Sequence, residues 1–249
     1  MEFEFNNKRV VLTGHSETDE IYQRIKFSHS FYELDMLSYV LRCHKKQRTA
    51  GSMVIDVGAN IGNHSVFFGL FVAGFVLAIE PNPPVFEVLT KNLTQNGVNA
   101  LPLKLALSDQ SGKGEIIEHA ADNVGMAQVS MLQGVTVSED DVDVETLDRV
   151  FHQYVSDDRT VSLIKIDVEG AERDVIQGSM AVIAAYKPDL YIEIQDPVKL
   201  QEIQALLSGH NYQVVSKWGA TTMYHLVSKP TLQQRFRGAA FWMSNLCVR

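Results

Sequence analysis

Short apolar runs alternate along the chain with stretches in which apolar residues recur every three or four positions. Continuous apolar runs are typical of strands buried on both faces, and the wider spacing is typical of helices that bury one face. A helix is predicted at 84–96, where Val85, Leu89 and Leu93 share one face, and another from Ala171. The runs predict seven strands, at residues 53–57, 75–79, 100–107, 161–166, 189–194, 212–216 and 223–227.

Strands that alternate with helices predict an α/β fold with a doubly wound, mostly parallel sheet. The last two strands are separated by six residues that include Gly219, so we expect them to form an antiparallel hairpin. We expect an N-terminal helical or cap segment at 1–50, a catalytic domain at 51–229 and a basic amphipathic tail at 230–249. A ligand of such a sheet binds at the carboxyl ends of its strands.

The first predicted strand runs into a glycine loop, VIDVGANIGNHS, at 54–65. Gly58 and Gly62 let backbone amides and a helix N-terminus approach a ligand closely. Asparagine stands where a dinucleotide fingerprint needs its later glycines, so the spacing excludes an NAD site. Glu80 ends the next strand 22 residues after Gly58, where an acid can accept hydrogen bonds from ribose hydroxyls. Together the loop and Glu80 predict a nucleoside-like ligand, although separately they could be a tight turn and a solvated charge.

These motifs, with others along the chain, resemble the FkbM family of class I methyltransferases, which use S-adenosylmethionine. The resemblance runs from FYELDML at Phe31 to MYHLV at Val227. Between these ends it includes VIDVGANIGNHS, AIEPNP, KNLTQNGV, LALSDQSG, NVGMAQV, VETLD, LIKIDVEGAERDVIQGS and PDLYIEI. It implies the Rossmann-like, seven-stranded methyltransferase sheet, S-adenosylmethionine as cosubstrate, and methyl transfer, most often to a hydroxyl of a sugar or natural product.

The same resemblance implies which residues hold the cosubstrate. Glu80 would bind the ribose, and Ser108 and Asp109 would lie beside the adenine unless SDQSG is a simple turn. Glu33 would approach the methionine amino group unless it is an exposed acid on the first helix. The full set of implied cosubstrate residues is Glu33, Asp56, Gly58, Asn60, Gly62, Glu80, Pro81, Asn82, Ser108, Asp109 and Asp167.

A hydroxyl acceptor requires a base, because its proton is held tightly at neutral pH. Asp167 and Glu169 follow the fourth strand and Glu193 lies at the end of the fifth, so these three are the candidate catalytic residues. Crowding of acids at a buried strand end is expected to raise a carboxyl pKa, which favours Asp167 and Glu169 as the base. Such carboxylates could instead hold Mg²⁺, but no compact ligand motif is present and no metal is expected.

Three further residues are candidates for binding the acceptor. His29 and His119 could each reach the acceptor pocket, although lone histidines are usually structural. Asn123, in DNVGM, lies in a segment that resembles the family's loop over the active site; the alternative is a plain turn. Its amide offers both a donor and an acceptor to a sugar hydroxyl.

The charge and the cysteine content limit the binding partners and the cellular compartment that we expect for this chain. The net charge is −8, which argues against a nucleic-acid partner, because nucleic-acid binding requires neutralised phosphates. The acid-rich run at 139–148 is predicted to be a solvated segment. No acid follows Glu202, and the basic tail could meet a membrane surface, although packing on its own domain or on a second copy in a homodimer is favoured. Two distant cysteines and a polar start predict a cytoplasmic protein.

Two other functions stay open beside O-methylation of a small-molecule or glycan acceptor. One is N-methylation of a small amine or peptide, and the other is a noncatalytic cofactor-binding module. Enzymes that methylate nucleobase amino groups usually show an [Asn/Asp]-Pro-Pro-aromatic motif, where this chain has DVEG at 167–170. A noncatalytic module would be expected to lose the carboxylates that follow the fourth strand, and here they are present.

Overall fold

A computed structural model describes residues 1–117, 128–132, 141–218 and 222–229. The strands are β1 (Glu2–Phe5), β2 (Lys8–Val11), β3 (Ser52–Val57), β4 (Phe75–Ile79), β5 (Ala100–Leu103), β6 (Ala106–Leu107), β7 (Gly112–Ile117), β8 (Gln128–Met131), β9 (Val142–Glu145), β10 (Thr160–Ile166), β11 (Asp189–Glu193), β12 (Tyr212–Trp218) and β13 (Met223–Ser228). The helices are α1 (Glu20–Ser28), α2 (Leu34–His44), α3 (Asn63–Phe67), α4 (Pro83–Gln95), α5 (Leu147–Tyr154), α6 (Glu172–Gln177), α7 (Met180–Tyr186) and α8 (Pro197–Leu206). None of the helices in these ranges combines the length and the apolar character needed to cross a bilayer.

A seven-stranded sheet forms the centre of the molecule, in the order β12-β13-β11-β10-β3-β4-β5. The five strands from β11 to β5 are parallel to one another, and β13 is antiparallel to both β11 and β12. The predicted mostly parallel sheet with a C-terminal antiparallel hairpin is therefore confirmed. Strands β3, β4, β10 and β11 all end at the same edge, so their following loops converge there.

Alternate residues of the central strands pack into two separate cores, one on each face of the sheet. Val54 and Leu163 contribute to one core, and Ile55 and Ile164 contribute to the other. This division follows from the pleat, which points successive side chains to opposite faces. Both faces are therefore covered, as the continuous apolar runs predict.

The N-terminal segment packs onto the same core as α3. The ring of Phe31 contacts those of Phe3 and Phe67 edge to face, with centroids 5.1 Å apart in both pairs. Strands β1 and β2 form a hairpin that the sequence pattern did not predict. Helices α1 and α2 follow the hairpin, so this segment contains the helices that were expected. The domain boundary near residue 50 stays a prediction.

A second sheet, in the order β6-β9-β7-β8, corrects two expectations. The strand predicted at 100–107 is divided, because β5 pairs with β4 whereas β6 pairs with β9. Part of the acid-rich run at 139–148 is not a solvated segment, since β9 buries Val142 and Val144. Acids at alternate positions face away from those valines, so the acidic composition hid the two-residue period of a strand.

The backbone at Gly58 passes directly over the end of β10. Gly58 has a φ of 70°, and a Cβ added there would lie 1.8 Å from the carbonyl oxygen of Asp167. Its amide donates to the carbonyl of Ile79 at 3.0 Å, which fixes the loop to the end of β4. Gly97 also has a positive φ, of 62°, but no atom lies within 4 Å of its added Cβ.

Replacing each of these glycines by alanine distinguishes the effect of the close contact at Gly58 on stability from the effect of a positive φ alone. We expect Gly58→Ala to lower the free energy of unfolding by about 2–5 kcal/mol, because a steric clash adds to the strain of a left-handed alanine. Gly97→Ala introduces only that strain and should lower the free energy of unfolding by about 1–2 kcal/mol. Urea denaturation followed by circular dichroism measures both variants. Equal losses would contradict the close contact between Gly58 and Asp167.

Candidate active site

A cavity of about 570 Å³ opens at the edge where β3, β4, β10 and β11 end. The glycine loop, the loop after Glu80 and the ends of β10 and β11 form its floor, and the second sheet and α1 provide further walls. The sequence-predicted residues that line it are Glu33, Gly58, Asn60, Glu80, Pro81, Asn82, Ser108, Asp167, Glu169 and Glu193. The fold therefore brings together cosubstrate and catalytic candidates that are far apart in the chain.

Four predicted site residues lie away from the cavity wall. Asp56 is fully buried behind it, and Gly62 is the residue before α3, packed against Leu89. Asp109 is exposed beside Ser108, and His29 is exposed at the end of α1. The remaining two candidates, His119 and Asn123, lie outside the described residues.

Glu80 is a buried acid whose two oxygens are both oriented by the backbone. The amide of Asn60 donates to Oε2 at 2.8 Å, and the amide of Asn82 donates to Oε1 at 3.0 Å. Burial raises the pKa of Glu80 to about 7, even though these two hydrogen bonds favour the charged form. Each carboxylate oxygen has a second lone pair, so Glu80 can still accept hydrogen bonds from a ligand in the cavity.

Apolar side chains cover the side of the cavity next to Ser108. Leu105 follows β5 at the end of the main sheet, and Leu107, Ile116, Val129 and Val144 come from the second sheet. This wall suits a flat, weakly polar group, while the floor near β10 is charged. The cavity therefore has one apolar half and one ionic half.

Lys165 is the buried cation of the ionic half, and it is 2% exposed. Its ammonium donates to the carbonyl of Gly58 at 2.8 Å and lies 3.5 Å from Asp56 Oδ1 and 3.2 Å from Asp167 Oδ2. Lys165 is paired with Asp56 in the register of β10 and β3, so both side chains leave the same face of the sheet. Burial would lower the pKa of Lys165, but the charges of Asp167 and Asp56 outweigh it and raise the pKa.

Asp56 lies at the base of this arrangement. The hydroxyl of Ser65 donates to its Oδ2 at 2.5 Å, and Lys165 balances its charge. Because Asp56 is buried and its partners are internal, it stabilises the glycine loop from behind. The structure thus gives this residue contacts with the protein itself, where the resemblance implies a contact with the cosubstrate.

The three candidate catalytic carboxylates have oxygens within 4.8 Å of one another. Burial raises the pKa of Glu193 to about 10, with further contributions from its hydrogen bond to Asp167 and from the charges of Asp167 and Glu169. Burial opposes ionisation of Asp167 too, but the charge of Lys165 and the hydrogen bond with Glu193 lower its pKa. The expectation of a raised pKa at Asp167 is therefore corrected: in this pair the raised pKa belongs to Glu193.

Glu33 and His64 complete the ionic half from the N-terminal side. His64 Nε2, on α3, lies 3.2 Å from Glu33 Oε2, and both side chains are largely buried. The backbone of Glu33 is left-handed, with a φ of 55°, at the residue that precedes α2. Glu33 is thus a cavity residue and not an exposed acid on a helix.

Sequence reasoning missed several parts of this site. Lys165 could have been identified from the sequence as a candidate site residue, because it is a lone charge within the apolar run LIKID. Arg24 lines the cavity from α1, but nothing in the sequence marks it as a site residue, since it lies among other charged residues of an exposed helix. The apolar wall from the second sheet also escaped prediction, because its strands are short and β7 contains two glycines.

Comparisons with known proteins identify relatives of this chain. A family model described as the methyltransferase FkbM domain matches residues 56–214. The hexuronic acid methyltransferase AglP of Haloferax volcanii is 26% identical over 177 residues, with 68% of this chain and 66% of that protein covered. The 31-O-demethyl-FK506 methyltransferase FkbM of Streptomyces tacrolimicus is 27% identical over 201 residues, with 70% of this chain and 77% of that protein covered.

A solved structure shares the fold. The crystal structure of methyltransferase FkbM from Methylobacillus flagellatus KT matches with a TM-score of 0.53 at 19% identity. The match covers 71% of this chain and 44% of that one, so the chain spans less than half of that protein's length. Together with the strand order, this likeness confirms the predicted class I methyltransferase fold.

The buried position of Glu80 predicts a pH-dependent stability. A carboxyl group whose pKa is raised on folding stabilises the protein fully below its unfolded pKa and loses that contribution as the pH rises through about 7. Relative to Glu80→Gln, the wild type should lose about 2–3 kcal/mol of unfolding free energy between pH 5 and pH 8. Urea titrations at several pH values measure this difference. Parallel pH profiles for the two proteins would contradict the raised pKa.

Proposed function

The chain is a methyltransferase of the FkbM family, and we propose that it transfers a methyl group from S-adenosylmethionine to a hydroxyl of a saccharide or glycosylated natural product. The carboxyl cluster of Asp167, Glu169 and Glu193 carries this proposal, because it puts a base for a hydroxyl proton beside the glycine loop. The relatives support the acceptor class, since one is named for a hexuronic acid and the other for FK506.

The two halves of the cavity fit the parts of S-adenosylmethionine. Glu80 is oriented to accept hydrogen bonds from the ribose hydroxyls, and the apolar wall beside Ser108 suits the adenine. The ionic half contains Glu33, Asp167 and Glu169, whose negative charges favour the positive sulfur and the methionine ammonium. The donor set of the cavity is therefore consistent with this cosubstrate.

Methyl transfer to oxygen places two demands on these residues. S-adenosylmethionine supplies the methyl carbon, whose bond to sulfur breaks, with the electron pair left on sulfur, as the acceptor oxygen forms its bond to that carbon. Asp167 is placed to take the hydroxyl proton, because Lys165 keeps it ionised at neutral pH. The cavity walls must also hold the reacting atoms in line, which is a large part of what a protein contributes to such a reaction.

The positive charge beside the carboxylates comes from the protein itself. The ammonium of Lys165 lies 3.2 Å from Asp167, and a second cation at the same place would be repelled by it. We therefore assign no metal ligands among Asp167, Glu169 and Glu193. Proton removal is assigned to a carboxylate alone.

Binding of S-adenosylmethionine tests the cosubstrate half of the proposal. We expect the wild type to bind it and Glu80→Gln to bind it about tenfold or more weakly, because hydrogen bonds to a charged group are lost. Glu87→Gln, an exposed acid on the following helix, is the matched control and should bind as the wild type does. Isothermal titration calorimetry measures all three. Absence of wild-type binding would overturn the proposed function.

A methyl-transfer screen tests the acceptor half. With sugars, nucleotide sugars and lipid-linked glycans as candidates, mass spectrometry should find a methyl group added to an oxygen. Asp167→Asn should lower the rate by about 100-fold or more while it still binds the cosubstrate, since a general base contributes at least that much. Methylation of amines or peptides alone would contradict O-methylation and favour an N-methyltransferase.

A further inference from the structure

The carboxyl pair of Asp167 and Glu193 is asymmetric, because within the described part of the chain an ion pair forms with Asp167 and none forms with Glu193. Lys165 lies 3.2 Å from Asp167 and is itself fixed by Asp56 and by the carbonyl of Gly58. Glu193 is 8% exposed at the end of the neighbouring strand, where it shares a hydrogen bond with Asp167. Two carboxyl groups this close, one of them buried, share a proton at neutral pH, and Lys165 stabilises the charged form of the nearer one.

The other charged and titratable groups that face the pair strengthen this asymmetry. Glu169 adds negative charge beside Glu193, which favours the protonated form of that residue. His64, on α3, favours the charged form of Asp167. The charge of Glu33, before α2, helps to raise the pKa of Lys165 and so favours its charged form. The adjacent phenol of Tyr32 stays neutral, because burial and nearby acids raise its pKa to about 12.

We propose that Lys165 is a positioning residue that confines the proton of the pair to Glu193 and leaves Asp167 as the charged member. Building on the proposed function, this gives the two carboxyl groups different tasks. Asp167 accepts the proton of the attacking hydroxyl as the new carbon–oxygen bond forms and the carbon–sulfur bond breaks. Glu193 donates its O–H to Asp167 and so orients that carboxylate, and its other oxygen can accept a hydrogen bond from the acceptor. The site therefore selects acceptors that offer one hydroxyl to lose a proton and a second hydrogen-bond donor to Glu193.

Carboxyl carbon NMR of the ¹³C-labelled full chain tests where the proton lies, with Asp167→Asn and Glu193→Gln used to assign the two signals. In the wild type at pH 7 we expect the Glu193 carboxyl to be protonated and the Asp167 carboxyl to be ionised. Asp167→Asn removes the neighbouring charge and should lower the pKa of Glu193 by about 1–3. An ionised Glu193 in the wild type, or a protonated Asp167, would overturn the proposal.

A matched pair of variants tests the part played by Lys165. Lys165→Met alone would leave Asp56 buried without its cation, so it is combined with Asp56→Asn, which removes the charge that Lys165 balances in the core. In the double variant we expect the pKa of Asp167 to rise by about 1–3, whereas Asp56→Asn alone keeps Lys165 and leaves Asp167 ionised. An unchanged pKa of Asp167 in the folded double variant would show that Lys165 does not keep Asp167 ionised, which would contradict the proposal. If that variant does not fold, the wild-type and Asp167→Asn spectra still decide where the proton lies.

Activity on an acceptor found by the screen gives a second readout. Glu193→Gln replaces an O–H donor by an N–H donor, so we expect kcat to fall by less than about tenfold, against about 100-fold or more for Asp167→Asn. The reverse ranking would make Glu193 the base and contradict the proposal. Failure to bind S-adenosylmethionine would instead overturn the proposed function, and the NMR result would still report the proton position.

Discussion

A single buried ammonium group connects the three parts of this site. Lys165 joins the end of β10 to the end of β3 through Asp56, to the glycine loop through the carbonyl of Gly58, and to the candidate catalytic carboxyl pair through Asp167. A buried cation is stable only when it is paired and hydrogen bonded, so these contacts depend on one another. The shape of the loop and the charge of the proposed base are therefore set by the same interaction.

In the proposed reaction, this arrangement would let one cavity serve two different ligands. Its apolar half, built from the end of the main sheet and from the second sheet, suits a nucleoside base, and Glu80 stands where the ribose would lie. Its ionic half holds the carboxyl groups, and the buried lysine limits their net negative charge. That balance leaves enough negative charge to favour a sulfonium cation and keeps one carboxylate ionised for a hydroxyl proton.

Strong apolar periodicity made most of the fold predictable from the sequence. The helix predicted at 84–96 lies at 83–95, and the five parallel strands were located because each lies in a short, mostly apolar run. The second sheet was missed, because its strands are short and their alternation is masked by glycines and acids. Most candidate site residues were predicted by resemblance. The raised pKa was expected at Asp167 but belongs to Glu193, because the charge balance depends on Lys165, two positions before Asp167, and on the register across strands.

In the proposed site, the buried lysine decides which carboxyl group is charged. Neutron diffraction from a perdeuterated crystal at pH 7 locates those protons directly. We expect three deuterons on Lys165, one on the carboxyl group of Glu193 and none on Asp167. Nuclear density for a deuteron on Asp167, or for none on either carboxyl group, would contradict it.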